Sequence, residues 1–362
     1  MSDVVFVLGA GASNEAGAPL MHNFLDVAES LLRSDECGPY DKPSFELVFK
    51  GIAALQPLFA KAVADTDNLE SVFAAFEMAA LFGQLGSLEP KDVRALPAAI
   101  KRVIVNTLET TITLQAVTPK GPMPPAPYQR FAGLLEAWKG RRSDGCVLTF
   151  NYDLALDYAL HFQGIGAKYC LGDDDPASPG IDLLKLHGSL NWTACPEPKC
   201  GRVFPVTFER FFKLHSLETP PRLRIDLSQR YIPCPSCGGG MQPLNPEPVI
   251  IPPTWSKMEH YPSIAGVWKR AAEHLAQARD IFVFGYSLRE TDQFFRYLYA
   301  LGTISPTRLR RFWVFDVDAT GEVEARFRKL LGPLAARRFR YIRNRFGDAI
   351  NQVSAALSHP DR

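Results

Sequence analysis

Five short apolar runs, interleaved with segments of helical periodicity, constrain this chain more than any other feature. Val4 to Gly9, Cys146 to Phe150, Leu183 to Leu186, Ile281 to Phe284 and Phe312 to Phe315 are brief, rich in valine, leucine and phenylalanine, and apolar nearly throughout. Runs of this kind are strands buried on both faces, and residues 338–343 read as one more strand. Helices are expected at about 13–33, 153–162, 265–278, 291–301, 321–331 and 347–357. Strand and helix in alternation predict an α/β fold, a Rossmann-like doubly wound parallel sheet, whose ligands bind beyond the carboxyl ends of the strands.

Two stretches depart from that alternation. From Phe45 to Gln115 apolar residues recur at three-to-four spacing, as in SVFAAFEMAALF and ALPAAIKRVIVNTLETTITL, which predicts a helical insertion over about 45–115. The segment TPKGPMPPAP (118–127) is an extended loop by its prolines, and YQRFAGLLEAW (128–138) resumes as a helix. From Trp192 to Gly240 the composition shifts to Cys, Pro, Gly and Phe, marking a small module. The expected division is therefore a Rossmann-like domain at 1–191 and 249–362 with the module at 192–248 between them.

Charge and cysteine usage narrow the function classes. Forty basic residues against thirty-nine acidic ones leave a net charge of +1 over 362 residues, so no global field draws the chain to nucleic acid or an anionic membrane. The first apolar run is preceded by Asp3 and lacks a basic flank, and no run reaches 18 apolar residues, so neither a signal peptide nor a membrane span is expected. Seven cysteines, four of them in two close pairs, fit a metal site in a reducing compartment better than a disulfide framework, and a cytoplasmic location is expected.

The strand ends carry the candidate chemistry. Gly9-Ala10-Gly11-Ala12-Ser13 follows a strand and opens a helix, an arrangement that lets backbone N–H groups approach a pyrophosphate. It departs from the dehydrogenase fingerprint, because the third glycine position falls at Asn14. Close packing of the turn is the alternative. Asn151 and Asp153, in TFNYD, set a carboxamide and a carboxylate just past the next strand, where they serve either a ligand or the start of a helix. His187, in KLHGS, puts an imidazole at the mouth of a third strand. Gly285 and Ser287, in GYSL, offer close approach and a hydroxyl, and Asp316 and Asp318 offer acceptors for ribose hydroxyls. The acidic loop Asp173-Asp174-Asp175 reads as a solvated turn.

Cys195, Cys200, Cys234 and Cys237 supply four thiolates, the number that closes a structural zinc site. The small residues after Cys237 permit a tight turn whose N–H groups can point at sulfur. The alternatives are four reduced thiols in a loop region, or His215 as a substitute ligand.

In the order of these motifs the chain resembles the sirtuin superfamily. GAGAS with AGAP (9–19) is similar to the sirtuin nucleotide loop, TFNYD (149–153) to the Asn-containing catalytic segment, KLHGS (185–189) to the catalytic-histidine segment, Cys195 to Cys237 to the zinc module, and GYSL (285–288) to the phosphate and ribose segment. The resemblance runs from residue 4 to about 318 but rests on some thirty positions, leaving the helical region 45–115 and the tail beyond 330 outside it. It implies NAD as ligand, Zn2+ as a structural ion, Asn151 and His187 as catalytic residues, and Asp153 in the nicotinamide-ribose pocket. Gly9, Ala10, Gly11, Ser13, Gly285, Ser287 and Asp316 are then its other nucleotide-binding residues.

Two departures bear on the activity. Sirtuin deacylases carry an Asp-Phe-Arg segment where this chain reads Leu20-Met21-His22-Asn23-Phe24. Where they bind an acylated peptide at a strand edge, this chain has Val249-Ile-Ile-Pro-Pro-Thr-Trp255, in which Pro252 and Pro253 lack the N–H groups that strand addition uses. TFNYD, KLHGS, IIPPTW and GYSLRETD together resemble bacterial sirtuin-like NAD hydrolases of antiphage defence. That resemblance implies water as the acceptor, a homo-oligomer, and an activating partner such as an ATPase, helicase or nuclease. A protein deacylase and a non-catalytic NAD or ADP-ribose sensor remain the alternatives.

Overall fold

The structure, a computed structural model, describes the chain except at residues 1–2, 57–63, 139–144, 173–179, 207–211, 215–220, 226–232, 239–247, 252–260, 290–291 and 359–362. Asp173 to Asp175, His215, Pro252 to Trp255, and Glu290 and Thr291 of the GYSLRETD segment lie outside the described residues.

The strands are, in chain order, β1 (Val4–Leu8), β2 (Val117–Thr118), β3 (Gly121–Pro122), β4 (Gly145–Thr149), β5 (Ala167–Lys168), β6 (Ile181–Lys185), β7 (Trp192–Ala194), β8 (Val203–Pro205), β9 (Phe212–Leu214), β10 (Leu223–Ile225), β11 (Asp280–Phe284), β12 (Arg311–Asp316) and β13 (Phe339–Arg343). Seven of them form one sheet in the order β13-β12-β11-β1-β4-β6-β5. Every pairing in that sheet is parallel. The chain leaves β1 toward β4 on one side and later returns to β11 on the other, so the topological switch point lies between β1 and β11. The sheet is the expected Rossmann-like one.

Burial follows from composition. All five residues of β1 are at most 1% exposed, because β4 and β11 flank it and helices cover both faces. The helices Ala126–Trp138 and Phe346–Ser358 pack on each other and meet the sheet through aromatic edges. Phe131 contacts Phe6 at 5.3 Å and Phe346 at 5.4 Å, ring centre to ring centre, near the offset geometries such pairs favour. The insertion is helical as expected, with helices Gly38–Ala54, Leu69–Phe82 and Pro90–Thr111 packed together. Among the described residues no helix is long and apolar enough to cross a membrane.

Two local expectations need correction, and one strand escaped the sequence reading. The helix expected over 13–33 is two helices, Ala10–Asn14 and Phe24–Arg33. Gly17, at φ +103, breaks it, and a Cβ there would lie 2.3 Å from the Thr111 carbonyl oxygen, so the end of the insertion packs directly on this turn. The proline-rich loop closes as a two-residue hairpin of β2 and β3. The edge strand β5, two residues long, carries no periodicity that a sequence reading can detect.

Candidate active site

A cavity of about 470 Å³ opens at the carboxyl edge of the sheet, across the switch point. It is walled by residues following six neighbouring strands: Asn344 and Arg345 after β13, Asp316 and Asp318 at β12, Gly285 to Ser287 after β11, Ala10 and Gly11 after β1, Phe150 and Asn151 after β4, and His187 after β6. Five inter-strand intervals of about 4.8 Å give that row a length of roughly 24 Å, which suits an elongated ligand lying across the strands.

Its floor is built by two loops locked together. The Gly9 N–H donates to the Phe284 carbonyl at 3.0 Å, and the Gly11 N–H donates to the Gly285 carbonyl at 2.9 Å. A Cβ on Gly11 would lie 2.7 Å from Gly285 Cα, and one on Gly285, at φ +57, would lie 2.5 Å from the Ala12 nitrogen. These glycines are therefore required by loop-on-loop packing, and the Gly11 N–H expected to face a phosphate is engaged by Gly285. Leu288, further along the second loop, also sits at positive φ (46°), an uncommon position for a γ-branched residue. Gly285→Ala should destabilise the fold by at least about 1–2 kcal/mol, the ordinary left-handed penalty, with the clash adding to it. Thermal denaturation of the variant measures this, and an unchanged melting temperature would contradict the interlock.

Asn151 reaches the cavity from above a buried polar cluster. Its Nδ2 donates to the Gly9 carbonyl and to Ser13 Oγ, both at 2.9 Å. Ser13 Oγ donates to Asp153 Oδ2 at 2.6 Å and lies 2.7 Å from the Tyr128 hydroxyl. With the serine hydrogen engaged by Asp153, Tyr128 is the donor in that last bond, and Ser13 accepts from both Tyr128 and Asn151. Burial above all, and then the charge of Asp153, push the Tyr128 hydroxyl well above its usual range, which keeps it a donor. Both hydrogens of the Asn151 amide are thus held, which leaves Oδ1 as the atom this cavity residue can offer to a ligand.

Ser13 and Asp153, expected to touch a ligand, are 1% and 6% exposed and do not line the cavity. Gly9 lies below the floor as well. Asp153 uses its other oxygen, Oδ1, to accept the Ala155 N–H at 3.0 Å, an Asx-type turn that leads into helix Ala155–Phe162, whose N-cap position is Leu154 and not Asp153 as the capping alternative had it. Burial raises its pKa while Lys185 and the Ser13 and Ala155 hydrogen bonds oppose that rise. Ala10, Gly11, Asn151, His187, Gly285, Ser287 and Asp316 do line the cavity. Burial raises the Asp316 pKa, opposed by backbone N–H groups of Asp318 and Val317.

His187 is 6% exposed, with its ring 5.1 Å from that of Phe150 and 6.1 Å from that of Tyr152. Its carbonyl accepts the Ile251 N–H at 2.8 Å, so the segment Val249 to Ile251 closes over this strand end. Beneath it, Lys185 donates to Asp157 Oδ2 at 3.0 Å and to the Asp153 carbonyl at 2.6 Å, a fully buried ion pair bracing the loop that carries Asn151. Of the charged residues that line the cavity, sequence reading missed five: Glu15, Glu70, Arg289, Asp292 and Arg345. The two arginines are cations available to a pyrophosphate.

The four cysteines of the small module meet in space. Their sulfurs lie within 4.8 Å of one another, with Cys195 to Cys237 at 3.7 Å and Cys200 to Cys234 at 3.8 Å. A tetrahedral ion with zinc–sulfur bonds of about 2.3 Å spaces its sulfurs by about 3.8 Å, so the donor set fits zinc in number, type and spacing. Such an ion has no open position and would hold β7, β8 and the Cys234 turn together. Purified protein should carry one zinc per chain by elemental analysis, and Cys234→Ser should lose it. A metal-free preparation with full stability would refute the site.

No protein-family profile matches the sequence, and no curated protein matches it. Among solved structures the chain is similar to a Sir2 homologue in complex with NAD, at 15% identity and a TM-score of 0.45, over 99% of this chain and 90% of that one. It is also similar to a mutant Sir2 homologue with ADP-ribose, at 15% identity and a TM-score of 0.42, over 99% and 92%. A third is Sir2Tm bound to a propionylated peptide, at 12% identity and a TM-score of 0.38, over 98% and 93%.

Proposed function

We propose that the protein hydrolyses NAD at the bond between nicotinamide and ribose, giving nicotinamide and ADP-ribose. The observation that carries this reading is the convergence of the Asn151 amide and the His187 imidazole, from two different strand ends, on one cavity that crosses the switch point. The leaving group is already cationic in NAD, so bond cleavage needs little acid help. The site must chiefly stabilise a ribosyl cation and position a nucleophile.

Asn151, with its Nδ2 held by Gly9 and Ser13, presents Oδ1 as an acceptor for the attacking water or for a ribose hydroxyl. His187 takes a proton from that water or from a ribose hydroxyl. Ser13, Tyr128 and Asp153 hold the Asn151 amide in register from beneath. Arg289 and Arg345 face the pyrophosphate, and Asp316 accepts from the hydroxyls of the adenosine ribose. Support for water as the acceptor comes from the sequence, where Pro252 and Pro253 remove two N–H groups from the segment that would bind a peptide strand.

The test is chromatographic detection of nicotinamide from purified protein with NAD alone and with NAD plus an acylated peptide. Release without peptide is expected. Release only with peptide would make the protein a deacylase, and tight NAD binding without product would make it a sensor. A role in antiphage defence, assembly of several copies, and activation by a partner protein complete the reading, since a free-running NAD hydrolase would deplete its own cell.

A further inference from the structure

The wall of the cavity beside His187 is not built by the sheet alone. Glu70, from the helical insertion, and Asp292, from the loop after β11, both line it, and each is 7% exposed. Each carboxylate stands at the positive end of a helix. Glu70 lies in the first turn of helix Leu69–Phe82, where Asn68 Oδ1 accepts the Glu70 N–H at 2.9 Å and fixes the start. Asp292 is the N-cap residue of helix Gln293–Gly302. Helix N-termini favour the charged form of an acid, and both acids stand at one.

Both acids act on the same aromatic groups. Tyr286, stacked on Phe150 at 4.3 Å, feels first its burial and then Asp292 and Glu70, which hold its hydroxyl protonated. Arg296 opposes them more weakly. Tyr152, whose ring lies 6.1 Å from that of His187, feels burial and then Glu70 and Asp292. The two carboxylates and His187 line the same cavity, and Phe295, three residues past Asp292, packs on the Phe150 ring that meets His187.

We propose that Glu70 and Asp292 form an anionic wall that reads the positive charge of the nicotinamide ring, so that the site selects oxidised NAD+ over neutral-ringed NADH. This rests on the reading of the cavity as an NAD site and adds the basis of its selectivity. Coulomb attraction to a cationic ring is present for NAD+ and absent for NADH, while ribose, pyrophosphate and adenine contacts are common to both. The same wall favours the ribosyl cation that forms when the ring departs. The insertion is then part of the site and not an appendage to it.

The experiment uses the full chain carrying His187→Ala, to block turnover, with NAD+, NADH and ADP-ribose titrated separately by calorimetry. In this background NAD+ should bind more tightly than NADH. Adding Glu70→Gln should lower the NAD+ to NADH affinity ratio about tenfold, the size of one partly buried charge pair, and leave ADP-ribose affinity unchanged. Asp292→Asn should act in the same direction, and gives a second variant should the first fold poorly. An unchanged ratio in both variants, with all three ligands bound, would overturn the anionic wall alone. Equal loss of all three ligands in both variants would reduce the acids to a structural role and overturn it too. If none of the three binds even the background protein, the NAD reading itself fails and takes the selectivity with it.

Discussion

Replacing His187 by alanine should slow nicotinamide release from NAD by about 10²–10⁴-fold, the range a positioned acid or base contributes. Asn151→Ala should lose a comparable factor, because its amide is held by Gly9 and Ser13 in a single orientation. The two losses should not add. If the amide positions the molecule from which the imidazole takes a proton, removing either disables one step, and the double variant should be little worse than each single one. Steady-state rates with circular dichroism as the folding control decide this. Full activity in both single variants would remove these residues from the chemistry.

Lys185→Ala is expected to give the largest effect on stability, about 3–5 kcal/mol by chemical denaturation, because it leaves a buried carboxylate without its partner. Lys185 and Asp157 are 1% and 2% exposed at the side chain, and among the described residues Asp157 keeps only the Tyr169 hydroxyl, at 2.6 Å, when the lysine goes. The lysine also donates to the Asp153 carbonyl, so the Asn151 loop should loosen with it and catalysis should fall alongside stability. Lys185→Met combined with Asp157→Leu should recover much of the stability, since desolvating an ion pair offsets most of its attraction. A single variant as stable as the natural protein would mean that the pair is solvated in solution.

The sheet was legible because its central strands are buried on both faces and so must be apolar throughout, as Val4 to Leu8 are. The strand ends were legible for a related reason: Gly, Asn, His and Asp there interrupt an otherwise apolar pattern. What the sequence did not carry is which way each of those side chains turns. Asn151 faces the cavity while Asp153, two residues on, turns beneath the floor to Ser13 and to the start of the next helix. Glu70 was hidden for another reason. It sits in a stretch whose apolar periodicity reads as self-contained helix packing, 81 positions before Asn151, and only tertiary folding brings it to the cavity. The four cysteines were the clearest signal, since metal-ligand spacing in sequence carries over directly to sulfurs within 4.8 Å.

The mutual threading of the turn after β1 with the turn after β11 has a consequence for how a guest molecule enters. Each turn fills the space a side chain would need on the other, so neither can swing aside without unseating its counterpart. The base of the chamber is thus a fixed anvil, and accommodation of a guest falls to the other lining segments, among them Leu20, Met21 and His22 on a short stretch between two helices.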